Sequence, residues 1–190
     1  MIRRKGIPTS PGIAIGKAIV YKKTEIKVSK VKGDPQTEIL RFRQALEKTK
    51  EQVRELREKA LKEMGSDKAA IFDAHIMILE DPAFVDRVEK AIRKHALPAE
   101  EAVRRVARDI AAIFESMEDE YMRARAEDIR DLGNQIIANL SGERAYLELT
   151  EPSIVVAREL LPSDTVRMER RYVLGFVTEL GGVTSHVSII

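Results

Sequence analysis

Seven residues, Ile39, Phe42, Leu46, Thr49, Val53, Leu56 and Ala60, recur at alternating steps of three and four. Only a helix places such residues on one stripe, and a stripe this narrow has to be covered by another helix. The pattern commits the middle of the chain to helices packed antiparallel. Gly65 ends the first helix, and Ser66 or Asp67 caps the next. Asp81-Pro82 reads as an N-cap followed by a first-turn proline, opening a segment that carries Phe84, Val85, Val88 and Ile92. Leu97-Pro98-Ala99-Glu100-Glu101 opens a further helix, with acids where the unpaired N–H groups favour them. Its stripe is Val103, Val106, Ile110, Ile113, Met117 and Tyr121. A last stretch carries Ile129, Leu132, Ile136 and Leu140 and stops near Gly142. His95, ahead of Ala96-Leu97-Pro98, falls at a helix C-terminus, where a cation complements the dipole.

The flanks change character. Ile13-Ala14-Ile15 and Ala18-Ile19-Val20-Tyr21 are apolar and strand-like, punctuated by Pro11, Gly12 and Gly16. Ser153-Ile154-Val155-Val156-Ala157 and Val173 to Thr178 are continuous apolar runs, which suit strands buried on both faces. Between them, Pro162-Ser163-Asp164-Thr165 carries capping residues and starts a short helix. The expected fold class is α+β: an antiparallel helical bundle, residues 32–145, inserted into an α/β subdomain made of residues 1–31 and 146–190. The chain stops on Val187-Ser188-Ile189-Ile190, an apolar run with no terminating signal, so the α/β part is expected to be incomplete at its C-terminus.

Composition excludes several classes. A net charge of +2 with 34% charged residues means interspersed signs, against a nucleic-acid binder driven by bulk charge. Lys22, Lys23, Lys27, Lys30 and Lys32 make one locally basic stretch, read as a solvated linker. The chain has no cysteine and three histidines, so disulfide, thiolate and zinc chemistry have little to work with. No apolar stretch approaches the ~20 residues needed to span a bilayer, and no signal peptide opens the chain. A cytoplasmic location is expected. There is no P-loop and no dinucleotide fingerprint.

The chemistry gathers in Gly181-Gly182-Val183-Thr184-Ser185-His186. Two glycines allow positive φ and close approach of a bulky anion. Thr184 and Ser185 add hydroxyls beside an imidazole, a good nucleophile near neutral pH without a helper base. These residues suggest a covalently phosphorylated histidine. The same residues also fit a plain glycine turn with an incidental histidine.

The GGVTSH block resembles the phosphohistidine signature of the phosphoenolpyruvate-dependent phosphotransferases. Within them the chain is most similar to the enzyme I family of the sugar phosphotransferase system. Ser10-Pro11-Gly12-Ile13-Ala14-Ile15-Gly16-Lys17-Ala18 is similar to its opening. Ala70 to Pro82 (AIFDAHIMILEDP), Asp119-Glu120-Tyr121, Asp128-Ile129-Arg130-Asp131-Leu132-Gly133 and Leu161-Pro162-Ser163-Asp164-Thr165 follow in the family's order. The rival enzyme reading, the swivelling phosphohistidine domain of a pyruvate phosphate dikinase or phosphoenolpyruvate synthase, lacks the helical insertion. The rival outside catalysis is an inert helical interaction module.

The resemblance implies that His186 takes a phosphoryl group from phosphoenolpyruvate, on Nε2, and passes it to the phosphocarrier protein HPr. It implies that Thr165 orients His186, with Gly181, Gly182, Thr184 and Ser185 forming the phosphate loop. The helical insertion would dock HPr through Lys68, His75, Met77, Ile78, Asp81, Phe84 and Arg125. The residues alone leave other roles open: Ile78 and Phe84 suit a core, His75 a structural histidine, and Lys68 and Arg125 solvated cations. Val183, Val187, Pro82 and Ala83 depart from the family pattern, and the last two thin the acidic rim facing the carrier. By resemblance no cofactor belongs to this part; magnesium, phosphoenolpyruvate binding and homodimerisation belong to a C-terminal part. A monomer is therefore expected, unable to use phosphoenolpyruvate alone. The missing N-terminal sensory domain favours the sugar branch over the nitrogen-regulatory one.

Overall fold

The computed structural model describes residues 4–22, 33–142 and 147–181. The chain divides into two units: residues 24–145, and residues 1–23 together with 146–190. The expected boundary at 31 and 32 lies outside the described residues.

The first unit is helical: α1 (Pro35–Met64), α2 (Ser66–Glu80), α3 (Pro82–His95), α4 (Ala99–Glu115) and α5 (Glu120–Ser141). All seven residues of the α1 stripe are buried. Its one polar member, Thr49, is satisfied twice. Its hydroxyl donates to the Ala45 carbonyl at 2.8 Å and accepts from Asn139 Nδ2 of α5 at 2.9 Å. Asn139 and Gln52 also exchange amide hydrogen bonds, so a polar seam fixes α1 against α5.

Helix starts follow from sequence. Asp34 accepts from Thr37 N at 3.0 Å and Pro35 fills the first turn, where the missing N–H costs nothing. Asp81 accepts from Ala83 N at 2.8 Å and caps α3, again with proline behind it. Between α1 and α2 only Gly65 intervenes, at φ 91°. It serves both ends, and neither Ser66 nor Asp67 is the cap; both lie inside α2. His95 does stand in the last turn of α3.

The start of α4 is capped from another helix. Its residue before the first turn is Pro98, which has no side-chain acceptor. Buried Glu38 of α1 instead accepts from Ala99 N at 2.7 Å and pairs with Arg41, which also bonds buried Glu100. Burial works against the Arg41 charge, but its hydrogen bonds to Glu100 and Glu38 outweigh it and raise its pKa.

The expected stripe of α4 runs too far. Val103 and Val106 are buried, but Ile113 is half exposed and α4 ends at Glu115. Met117 follows it, and Tyr121 belongs to α5, which Asp119 caps by accepting from Met122 N at 2.9 Å. The true inner face turns through Ala107 and Ala111, which pack with Ala126 and Ile129 of α5. Small residues bring these helices close. A Cβ on Gly133 would lie 2.8 Å from Ala107 Cβ. Gly133→Ala gains about 1 kcal/mol of helix propensity but must push α4 from α5, at about 1–3 kcal/mol. Its expected net effect is a loss of about 1 kcal/mol, read from chemical denaturation; a gain in stability would contradict the close approach.

The second unit is a three-stranded parallel sheet in the order β1 (Lys17–Tyr21), β2 (Ser153–Ala157), β3 (Val173–Thr178). Parallel neighbours need crossovers. The whole helical unit is inserted between β1 and β2, and α6 (Pro162–Arg167) lies between β2 and β3. One face carries a core of Leu149, Val155, Ala157, Leu160 and Met168. Two expectations fail here. Ile13-Ala14-Ile15 is not a strand, and Ile13 and Ile15 are almost fully exposed. Only β2 alternates tightly inward, while β3 keeps Leu174, Phe176 and Val177 exposed rather than buried on both faces. An apolar run specifies extended chain; how many faces are covered depends on partners the run does not encode.

Candidate functional site

In the α/β unit the histidine loop begins at Gly181, whose φ of 94° uses the conformational freedom expected of it. Gly182, Thr184, Ser185 and His186 lie outside the described residues. Thr165, the residue expected to orient His186, sits in α6 and is nearly buried. Its hydroxyl donates to the Pro162 carbonyl at 3.0 Å. A hydroxyl whose proton is engaged still offers oxygen lone pairs as an acceptor. Asp164 fixes the helix that carries it: Oδ2 accepts from Leu161 N at 3.0 Å, and Oδ1 accepts from Tyr21 OH of β1 at 3.3 Å.

In the helical unit the seven expected docking residues divide sharply. Met77 of α2 is 72% exposed, an adaptable apolar side chain set out in solvent. Asp81 is exposed, though its carboxylate is engaged in capping α3. Lys68 is half-buried near the start of α2. Ile78 packs inward against the α4–α5 cluster. Phe84 is only 4% exposed and His75 is completely enclosed. These two side chains support the surface from within and do not form part of it.

His75 meets the edge of Phe72, ring centroids 5.6 Å apart. Its Nε2 lies 3.3 Å from Asp128 Oδ1, and among the described residues neither ring nitrogen is in hydrogen-bond alignment with a partner. The other carboxylate oxygen of Asp128 holds Arg125 Nη1 at 3.2 Å. Arg125 also bonds Tyr121 OH, and its guanidinium lies 4.8 Å from the Tyr121 ring centroid. The stack and the two bonds hold a partly exposed arginine in a fixed orientation. Sequence analysis singled out Arg125, placed Tyr121 in the α4 stripe and gave Asp128 no role at the site. Their spacing, four before and three after Arg125, was the available signal.

Residues 5–125 match the family described as PEP-utilising enzyme, N-terminal, and residues 149–190 match PEP-utilising enzyme, mobile domain. The chain belongs to the PEP-utilising enzymes. Among curated members, the phosphoenolpyruvate-protein phosphotransferases of Staphylococcus carnosus and Bacillus subtilis are each 40% identical over 98% of this chain. The chain spans about a third (33%) of their length. Among solved structures, an Enzyme I protein determined by NMR is 45% identical with a TM-score of 0.77, covering 97% of this chain and 77% of that one. The N-terminal domain of a nitrogen Enzyme 1 is 27% identical with a TM-score of 0.70, covering 96% and 76%. These neighbours bear out both the enzyme I resemblance and the bundle-plus-sheet fold class.

Among the described residues no helix is long and apolar enough to cross a membrane. No group of three or more His, Cys, Asp or Glu among them stands together as metal ligands.

Proposed function

We propose that this chain is the phosphohistidine-bearing and carrier-docking part of a phosphoenolpyruvate-protein phosphotransferase, acting in the cytoplasm. The observation that carries the reading is similarity over 98% of the chain to enzymes of that name, with the GGVTSH loop inside the matched span. His186 is the nucleophile. An unprotonated ring nitrogen attacks phosphorus, the bond to the enol oxygen of phosphoenolpyruvate breaks, and the electron pair leaves with the enolate. An unprotonated ring nitrogen of the HPr histidine then attacks, the His186–phosphorus bond breaks, and its electron pair returns to His186. Both steps are phosphoryl transfers governed by positioning and charge neutralisation. Thr165, as an acceptor, would hold the N–H of one ring nitrogen and leave the other free to attack. Gly181, Gly182, Thr184 and Ser185 would supply donors to the phosphoryl oxygens.

Docking falls to the helical unit, with Met77 as the exposed apolar contact, Lys68 and Arg125 as cations, and Asp81 on the rim. Titration of the chain with unphosphorylated HPr, followed by NMR, is expected to shift resonances of α2 around Met77. Met77→Ala is expected to raise Kd about tenfold, the loss of ~1.4 kcal/mol at a buried contact, with the melting temperature unchanged. No binding at millimolar HPr would contradict the docking role.

A further inference from the structure

Asp128 is a charged residue with no exposed surface, placed where α2 meets α5. Its two oxygens have different neighbours: Oδ1 faces enclosed His75 of α2, and Oδ2 binds Arg125 Nη1, whose side chain is 18% exposed. A buried carboxylate is costly unless it is paired. Here the pairing reaches from the interior to the surface. Arg125 has the planar fork that matches phosphoryl oxygens, and a long arginine side chain loses much rotamer freedom when it is immobilised. An arginine already immobilised by a carboxylate, a tyrosine hydroxyl and a ring face has met that cost before a ligand arrives.

We propose that Asp128 is a positioning residue: enclosed beside His75, it presents the Arg125 guanidinium in one orientation to the phosphorylated carrier. The inference rests on Arg125 being a docking residue, as the proposed function has it. The α2–α5 packing that holds His75 against Asp128 thereby sets the geometry of a surface cation.

A double-mutant cycle with phosphorylated HPr tests this, in a His186→Ala background that blocks phosphoryl transfer, using Asp128→Asn, Arg125→Ala and the pair, with Kd from calorimetry at a temperature where circular dichroism shows every variant folded. Asn keeps the size of Asp and removes its charge. Arg125→Ala and Asp128→Asn are each expected to raise Kd about tenfold, and the pair no more than Arg125→Ala alone. The Arg125 Nη resonances, distinct when rotation is hindered, are expected to merge in Asp128→Asn. Asp128→Glu, which restores the charge, is expected to recover part of the affinity. A lowered melting temperature with Kd within twofold of wild type would make Asp128 merely structural and overturn the proposal. Equal losses from Asp128→Asn with and without Arg125 would overturn it too, because Asp128 would not act through Arg125. If Arg125→Ala itself left Kd unchanged, the docking role of Arg125 would fail and this proposal with it.

Discussion

His186→Ala is expected to abolish phosphoryl exchange between this chain and phosphorylated HPr. Removing a covalent nucleophile costs on the order of a millionfold where nothing nearby can replace it. Little here can. The chain has three histidines. His75 is enclosed, and His95 stands in the last turn of α3, in the helical unit. Thr165→Val, which removes the acceptor oxygen and keeps the shape, is expected to slow exchange by about 10–100-fold and leave it measurable. Decay of the carrier's phosphohistidine signal in 31P NMR reads both. Exchange at the wild-type rate in His186→Ala would remove that histidine from the mechanism.

Phe84→Ala is expected to have the largest effect on stability. The side chain is 4% exposed on α3, within the helical unit, and truncating a buried phenylalanine costs about 3–5 kcal/mol. For a unit of this size that lowers the melting temperature by roughly 10–20 °C. Met77→Ala is the contrasting case: five positions beyond Phe72 but exposed, it is expected to leave melting unchanged and weaken HPr binding. Calorimetric melting of both variants beside their HPr affinities separates the roles. Unchanged melting with weakened binding in Phe84→Ala would place that ring on the surface and contradict the structure.

The contrast shows what the sequence could say. The α1 stripe was legible in full because seven residues at a 3-4 step over six turns leave no other fold, and even Thr49 belongs to it. The Asp34 and Asp81 caps each carry their own chemistry and needed no tertiary context. The end of α4 was not legible: Met117 and Tyr121 continue its period across a break that Asp119 makes by capping α5. Ile13 and Ile15 have the composition of a strand, but their exposure depends on what packs over them. The candidate site divides in the same way. Motif similarity located Arg125 and His75, but similarity carries positions and not burial. That one is enclosed and the other held at the rim follows from α2 packing on α5 through Asp128.

A phosphohistidine at residue 186, charged through HPr, is what joins the two units in function. Its most direct test is the intact mass of this chain after mixing with phosphorylated HPr, followed by peptide mapping at neutral pH. One added phosphoryl group is expected, lost in acid and confined to the peptide containing His186. A phosphoryl group on any other residue, or none while HPr is bound, would contradict it.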